Sequence, residues 1–165
     1  QRVNSTENDY ILKQISLDTV IREVIHKYAK IMIRRKILMQ YEKTEVTVIS
    51  DEKWLAFVLE QLLSNAVKYM SEGELTIEVR EEPQHIWLEI RDTGIGIRSE
   101  DIPRVFEKGY TGFNGHEDKR STGIGLYLCR DALQKLGHTI RIQSEIGEGT
   151  VVTVGFYKDT IDVRD

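Results

Sequence analysis

The sequence predicts an α+β domain: a two-layer α/β sandwich with a mixed, mostly antiparallel sheet and helices gathered on one face. Three observations carry this. Apolar residues recur at three- and four-residue spacing in three separate segments. Four of the five alternating segments arrive in hairpin pairs, and only EVTVIS stands singly between helices. The chain has 165 residues, enough for one sizeable core with little left for a second.

Each element has its own signal. Residues 1–15 are polar and read as a frayed start. Ser16 serves as N-cap for a helix running to about Arg34, with Leu17, Val20, Ile21, Val24, Ile25 and Tyr28 on one stripe. EVTVIS alternates as a strand, and Ser50 and Asp51 supply a cap for a second helix, EKWLAFVLEQLLSNAVKYM. ELTIEVR and HIWLEIR flank EEPQ as a hairpin. SEDIPRVF reads as one short helix, and FEKGYTGFNGHEDKRSTG, with glycines, charges and no period, as a long loop. GIGLYLCRDALQKL is a third helix closed by Gly137. HTIRIQS and TVVTVGF then pair across EIGEG.

Composition narrows the function classes. The net charge of −4 argues against nucleic-acid or membrane-surface binding through bulk electrostatics. No apolar run approaches the roughly 20 residues of a membrane span. The single Cys129 excludes an internal disulfide, and a reducing compartment is the default. Cys129 shares a stripe with Leu126, Leu133 and Leu136, so it reads as packing.

Two features point to chemistry. On the second helix Gln61, Asn65 and Lys68 share a polar face at four- and three-residue spacing, with Tyr69 at its border. Carboxamide oxygens suit a hard cation such as Mg²⁺, and Lys68 can meet phosphate as a point charge. The bland reading of that stripe is a solvated face. In RDTGIGI, a carboxylate ends a buried strand, which is costly without a donor to satisfy it. The exocyclic amine of adenine is such a donor. Gly94 and Gly96 let the backbone turn and leave room for a flat ring; the bland reading is an Asp-capped turn. Neither the dinucleotide fingerprint nor the P-loop spacing is present. Gly123 and Gly125 instead precede a helix start, whose free N–H groups favour an anion. Gly147 and Gly149 fit a hairpin turn, and Thr150 lies within reach of Asp92 or a bound water if that hairpin adjoins the central strands.

In this order the pieces resemble the ATP-binding catalytic domain of bacterial sensor histidine kinases, in the superfamily that includes DNA gyrase and Hsp90 ATPases. LLSNAVKY resembles the family's asparagine box, DTGIGI its first glycine box and VFEKGY its phenylalanine box. TGIGLYL is similar to the second glycine box, and GEGTVVTV to the closing one. The match covers about residues 17–157. FEKGYTGFNG is similar to kinases acting beside peptide-responsive ABC transporters in Gram-positive bacteria. The resemblance implies a Bergerat-type ATP fold over residues 16–160, preceded by a linker or dimerisation-helix end at 1–15 and followed by a tail at 161–165. It implies that Asn65 binds Mg²⁺ bridging the phosphates of ATP, Lys68 contacts a phosphate and Tyr69 packs on base or ribose. Asp92 would read the adenine amine, with Gly94, Gly96 and Ile97 shaping the pocket. Residues 107–122 would form a lid from which Lys119 or Arg120 reaches the γ-phosphate, and Gly123, Gly125 and Leu126 would close over the phosphates. Gln61 stands where related kinases often carry a second asparagine, so its place as a metal ligand stays open. It cannot act as the general base that hydrolytic members place there.

The resemblance further implies phosphotransfer to a histidine on an upstream dimerisation domain and onward to a response regulator. It implies a cytoplasmic domain of a membrane protein, homodimeric when whole, with this chain monomeric and no nucleic-acid partner. None of the four histidines here suits the acceptor. Lys27 follows His26, His85 starts a strand, His138 follows a helix-ending glycine and His116 lies in the loop; all four read as solvated surface residues. Their spacing matches no zinc pattern. No catalytic residue is assigned within the chain. Two other readings stand: an ATP-hydrolysing clamp or chaperone module, and an interaction module that kept the fold without the nucleotide.

Overall fold

The computed structural model describes residues 10–110 and 125–158. In chain order the elements are β1 (Leu12–Ser16), α1 (Leu17–Arg34), β2 (Ile37–Tyr41), β3 (Thr47–Asp51), α2 (Glu52–Lys68), β4 (Gly73–Glu81) and β5 (His85–Asp92). A 3₁₀ turn at Ile102–Arg104 follows, then α3 (Gly125–Lys135), β6 (Thr139–Glu145) and β7 (Gly149–Tyr157). A five-stranded sheet runs in the order β2-β4-β5-β7-β6, and β1 pairs with β3 in a separate two-stranded ribbon. Only β2–β4 is parallel; the other pairs are antiparallel. The α+β expectation therefore holds.

Period-two alternation divides the sheet into two faces. Leu75 and Ile77, Ile86, Leu88 and Ile90, and Val152, Val154 and Phe156 are buried against the helices. The helices contribute Leu17, Val20, Ile21 and Val24 from α1, Leu55, Val58, Leu59 and Leu62 from α2, and Cys129, Ala132 and Leu133 from α3. Each fully buried leucine contributes about 2 kcal/mol of transfer free energy, so this seam is the fold's main stabilising term. The opposite face carries Arg80, Glu89 and Arg91 in an ion-pair row. There Trp87 lies opposite Gly155, whose missing side chain leaves room for the indole.

The helix starts behave as the sequence indicates. Ser16 Oγ accepts from Thr19 N–H at 3.2 Å, and Asp51 Oδ1 accepts from Trp54 N–H at 2.9 Å. Such caps are each worth about 1 kcal/mol. Asp51 Oδ2 also accepts from Ile11 N–H at 2.8 Å, which ties the residue before β1 to the start of α2. Gly137 takes φ +82°, the left-handed geometry expected of a helix-ending glycine.

Four expectations need correction. Residues 12–15 are not frayed: they lie in β1, whose exposed Leu12 and Gln14 carry no apolar alternation and whose only buried side chain is Ile15. The strand β2 is missing from the sequence reading. It follows α1 after a two-residue turn through Lys36 at φ +60°, and its partner β4 comes only after β3 and α2, so nothing local announces it. SEDIPRVF yields only a three-residue 3₁₀ turn instead of a helix. His138 is not a surface residue. It is 6% exposed, its Nε2 lies 2.9 Å from Ser50 Oγ, and its ring meets Phe156 edge-on at 4.6 Å. Cys129 is buried as expected, and burial pushes its thiol up to about 12.

Candidate functional site

Alternation along β5 puts Asp92 on the same face as Leu88 and Ile90, at the sheet end where the helical layer stops. Asp92 pairs with Leu75 on one side and Thr150 on the other. Loss of water raises its carboxyl above the ordinary carboxylate range, opposed by backbone bonds from Gly94 and Thr150. The Gly94 N–H donates at 2.8 Å. A carboxylate has about four acceptor sites, so beyond its two described backbone donors Asp92 keeps acceptor capacity in a half-buried place.

The glycines around it are required by close approach. A Cβ on Gly94 would stand 2.7 Å from the Tyr69 carbonyl oxygen, which itself accepts from Ile95 N–H at 3.3 Å. A Cβ on Gly96, at φ +81°, would stand 2.2 Å from the Glu145 carbonyl oxygen. The first glycine turn is thereby wedged between the end of α2 and the β6–β7 hairpin. The hairpin reciprocates: Gly147 N–H donates to the Ile95 carbonyl at 3.0 Å. Gly149 adopts φ +127°, with space for a Cβ only 2.0 Å from the Asp92 carbonyl oxygen. Gly149→Ala is expected to cost roughly 1–3 kcal/mol of stability, since only backbone could yield. Thermal melts of the variant check this; an unchanged midpoint would contradict the contact.

The polar stripe of α2 reaches this turn from below. Gln61, Asn65, Lys68 and Tyr69 are all half-buried, between the buried Leu62, Ala66 and Val67 and open water. The Lys68 ammonium sits 5.4 Å from the centre of the Tyr69 ring. Arg35 Nη1 donates to the Val67 carbonyl at 2.7 Å and so holds the last turn of α2 in place. At the other end of the stripe, a Cβ on Gly125 would stand 2.7 Å from Gln61 Oε1. The side of α2 from Gln61 to Tyr69 is roughly 12 Å long at the helical rise. It therefore links the Asp92 turn to the start of α3 with carboxamides and one ammonium between them.

The phenylalanine-box segment lies against α3. The Arg130 guanidinium stacks 5.1 Å from the centre of Phe106, and Lys108 Nζ lies 5.7 Å from the centre of Tyr127. Buried Asp101 accepts from Arg98 Nε at 3.0 Å and anchors the base of the segment. Leu126 packs against the core. Lys119, Arg120 and Gly123 lie outside the described residues.

Of the residues predicted from sequence, the structure brings together Tyr69, Asp92, Gly94, Gly96, Ile97 and Thr150 at one end. It places Gln61, Gly125 and Leu126 at the other, with Asn65 and Lys68 between. Two supporting residues have no signal that singles them out, Arg35 and Ser144, while Gly149, expected only in a hairpin turn, also closes on the Asp92 backbone. Ser144 Oγ accepts from Ile97 N–H at 2.8 Å. Counting back from the EIGEG turn would have placed it opposite Thr150. Nothing in sequence announces Arg35. Among the described residues no three His, Cys, Asp or Glu side chains converge on a cation site. Asn65 contributes one carboxamide oxygen, which suits a hard cation that takes further oxygens from a bound ligand. No helix among the described residues is long and apolar enough to cross a membrane.

Comparison with known proteins agrees with this geometry. Residues 50–160 match the family described as "Histidine kinase-, DNA gyrase B-, and HSP90-like ATPase". The sensor protein BceS of Bacillus subtilis (strain 168) is 38% identical over 156 residues, covering 94% of this chain and 47% of that protein. The sensor histidine kinase YxdK of the same strain is 38% identical over 161 residues, covering 94% and 49%. The chain thus spans about half the length of the curated relatives it matches. Among solved structures, the Acinetobacter baumannii histidine kinase AdeS superposes with a TM-score of 0.77 at 22% identity, over 95% of this chain and 72% of that one. The catalytic domain of histidine kinase ThkA gives 0.75 at 20% identity, over 90% and 96%. At those identities the likeness shows the fold alone. The family match covers most of the chain and includes the α2 stripe and all three glycine turns, so the chain belongs to the histidine kinase-, DNA gyrase B- and HSP90-like ATPase family.

Proposed function

We propose that this chain is the ATP-binding catalytic domain of a two-component sensor histidine kinase, delivering the γ-phosphate of Mg²⁺–ATP to a histidine on an upstream dimerisation domain. One observation carries the reading: Asp92, a partly desolvated carboxylate with acceptor capacity beyond its two backbone donors, sits beside Gly94, Gly96 and Gly149, none of which has space for a side chain. An adenine amine is a donor that fits it. Guanine would bring a keto oxygen to the same carboxylate and be repelled. Tyr69, Gly94, Gly96 and Ile97 bound the base, and Thr150 adds a hydroxyl beside Asp92. Asn65 offers a carboxamide oxygen to the metal, and Lys68 a point charge to phosphate. Bound Mg²⁺ supplies charge neutralisation on the phosphates. The side chains position the reactants and assign no nucleophile here, since the acceptor histidine belongs to another domain.

Gln61 separates transfer from hydrolysis. Its carboxamide cannot take a proton from water, and its oxygen faces Gly125, which supports a role in holding the start of α3. Lys119, Arg120 and Gly123 belong to the same proposal as γ-phosphate and phosphate contacts. In the whole protein the partners would be the dimerisation domain, a second copy through it, and a response regulator, with this domain on the cytoplasmic side of the membrane. Calorimetric titration with Mg²⁺–ATP tests the reading: saturable heat with ATP and a much weaker response to GTP is expected, and no heat with either would overturn it. Asn65→Ala is expected to weaken Mg²⁺–ATP roughly tenfold and leave metal-free ATP binding unchanged. An undiminished effect of Mg²⁺ in the variant would remove Asn65 from the metal.

A further inference from the structure

The hydroxyls behind Asp92 form a closed set whose proton positions follow from chemistry alone. Ser144 Oγ lies 2.8 Å from Ile97 N, 2.9 Å from the Gly149 carbonyl oxygen and 2.7 Å from Thr150 Oγ1. The amide of Ile97 can only donate, and the carbonyl of Gly149 can only accept. Two oxygens 2.9 Å apart need a proton between them, and only Ser144 can supply it there. With its one proton committed to Gly149, Ser144 meets Thr150 as an acceptor, so the Thr150 proton points at Ser144. Thr150 is directly opposite Asp92 in the strand register. Its oxygen is therefore left with lone pairs, and no proton, to offer toward the pocket.

We infer that Ser144 is a specificity-determining positioning residue: it turns the Thr150 hydroxyl into an obligate acceptor beside the Asp92 carboxylate. Set opposite the 6-position of a purine, that edge offers acceptors only, which suits the exocyclic amine of a 6-aminopurine and opposes the keto oxygen of a 6-oxopurine. Ser144 touches no ligand itself. The same hydroxyl seats the Ile97 end of the first glycine turn, so base selection and turn geometry share one atom. Removing it frees the Thr150 proton to swing into the pocket, where it can meet a keto oxygen. This inference rests on the adenine reading above and adds the residue that enforces it.

The test is nucleobase selectivity in the 165-residue chain, measured as the affinity ratio of ATP to inosine triphosphate, which carries a keto oxygen in place of the 6-amine and a proton on N1. Ser144→Ala is expected to lower that ratio about tenfold, through stronger inosine binding as well as weaker ATP binding, and Ser144→Thr to restore it. Thr150→Val removes the oriented oxygen, so adding Ser144→Ala to it is expected to change the ratio no further. A merely structural role for Ser144 would weaken both nucleotides alike and leave the ratio intact. An unchanged ratio in Ser144→Ala, or additive effects in the double variant, would overturn the inference while leaving the adenine pocket standing. Should Ser144→Ala fail to fold, Ser144→Thr and Thr150→Val still decide: a lost ratio in the first or an unaltered ratio in the second counts against it. Wild-type chain with no preference for ATP would overturn both readings together.

Discussion

Asp92→Asn is expected to lower ATP affinity roughly 10- to 100-fold while leaving the unliganded domain as stable as the wild type or more so. The affinity loss follows from exchanging a charged acceptor for an amide whose NH₂ group can face the purine amine; hydrogen bonds to charged groups are worth about 1.5–3 kcal/mol. The stability gain follows from linkage. Burial raises the Asp92 carboxyl above its ordinary range, so the folded state favours the neutral form. For a raised acid, stability is greatest at low pH and is lost as pH rises through the folded value. At neutral pH the ionised carboxylate therefore costs stability, and a neutral isostere that still accepts from Gly94 N–H removes the cost. Calorimetry and thermal melts at pH 7.5 test the pair of effects. Lower stability together with full ATP affinity would contradict both halves. A site that trades stability for binding is the expected pattern where a ligand supplies the missing partner.

His138 is expected to make the domain acid-labile by about 3 kcal/mol. Burial lowers its pKa from the ordinary 6.5 to about 4. Between those values the unfolded chain binds a proton that the folded chain refuses. Stability is thus full above the unfolded value and falls with pH until the folded value is passed. The geometry agrees with the sign. The imidazole is wedged against Phe156 with Nε2 on Ser50, and Nδ1 has no partner among the described residues, so an imidazolium would bury a charge that none of them answers. Urea denaturation at pH 7.5 and pH 4.5 in wild type and His138→Gln isolates the effect, because Gln keeps a partner for Ser50 without titrating. Asp18, held below its usual range chiefly by the Tyr41 hydroxyl, contributes its own loss at low pH in both proteins and cancels in the comparison. Equal pH sensitivity in the two would refute the assignment.

The parts of the site that were legible in sequence are those with a local signature. Asp92 ends an alternating strand, Gly94 and Gly96 follow at fixed offsets, and Asn65 and Lys68 share a helical face. Each can be placed from a period and a spacing. Arg35 and Ser144 are different: each acts on a segment more than thirty residues away, and neither residue type is unusual where it stands. Ser50 shows the same limit from another side. It reads as a cap beside Asp51, yet Asp51 alone caps α2, and Ser50 is buried on His138, eighty-eight positions along the chain.

By itself the sequence determined the α+β class, both caps, the hairpins and which residue types stand in the candidate site, because periodicity, glycine geometry and side-chain donors are properties of short segments. Only the tertiary structure decided that β2 joins the sheet in parallel, that His138 is buried, and that the third glycine turn presses against the first. Those outcomes depend on which distant segments pack together, and packing is set by the whole core at once. The direction of a single hydroxyl proton at Thr150 is the finest of them, since it needs three neighbours from two different turns before it has one answer.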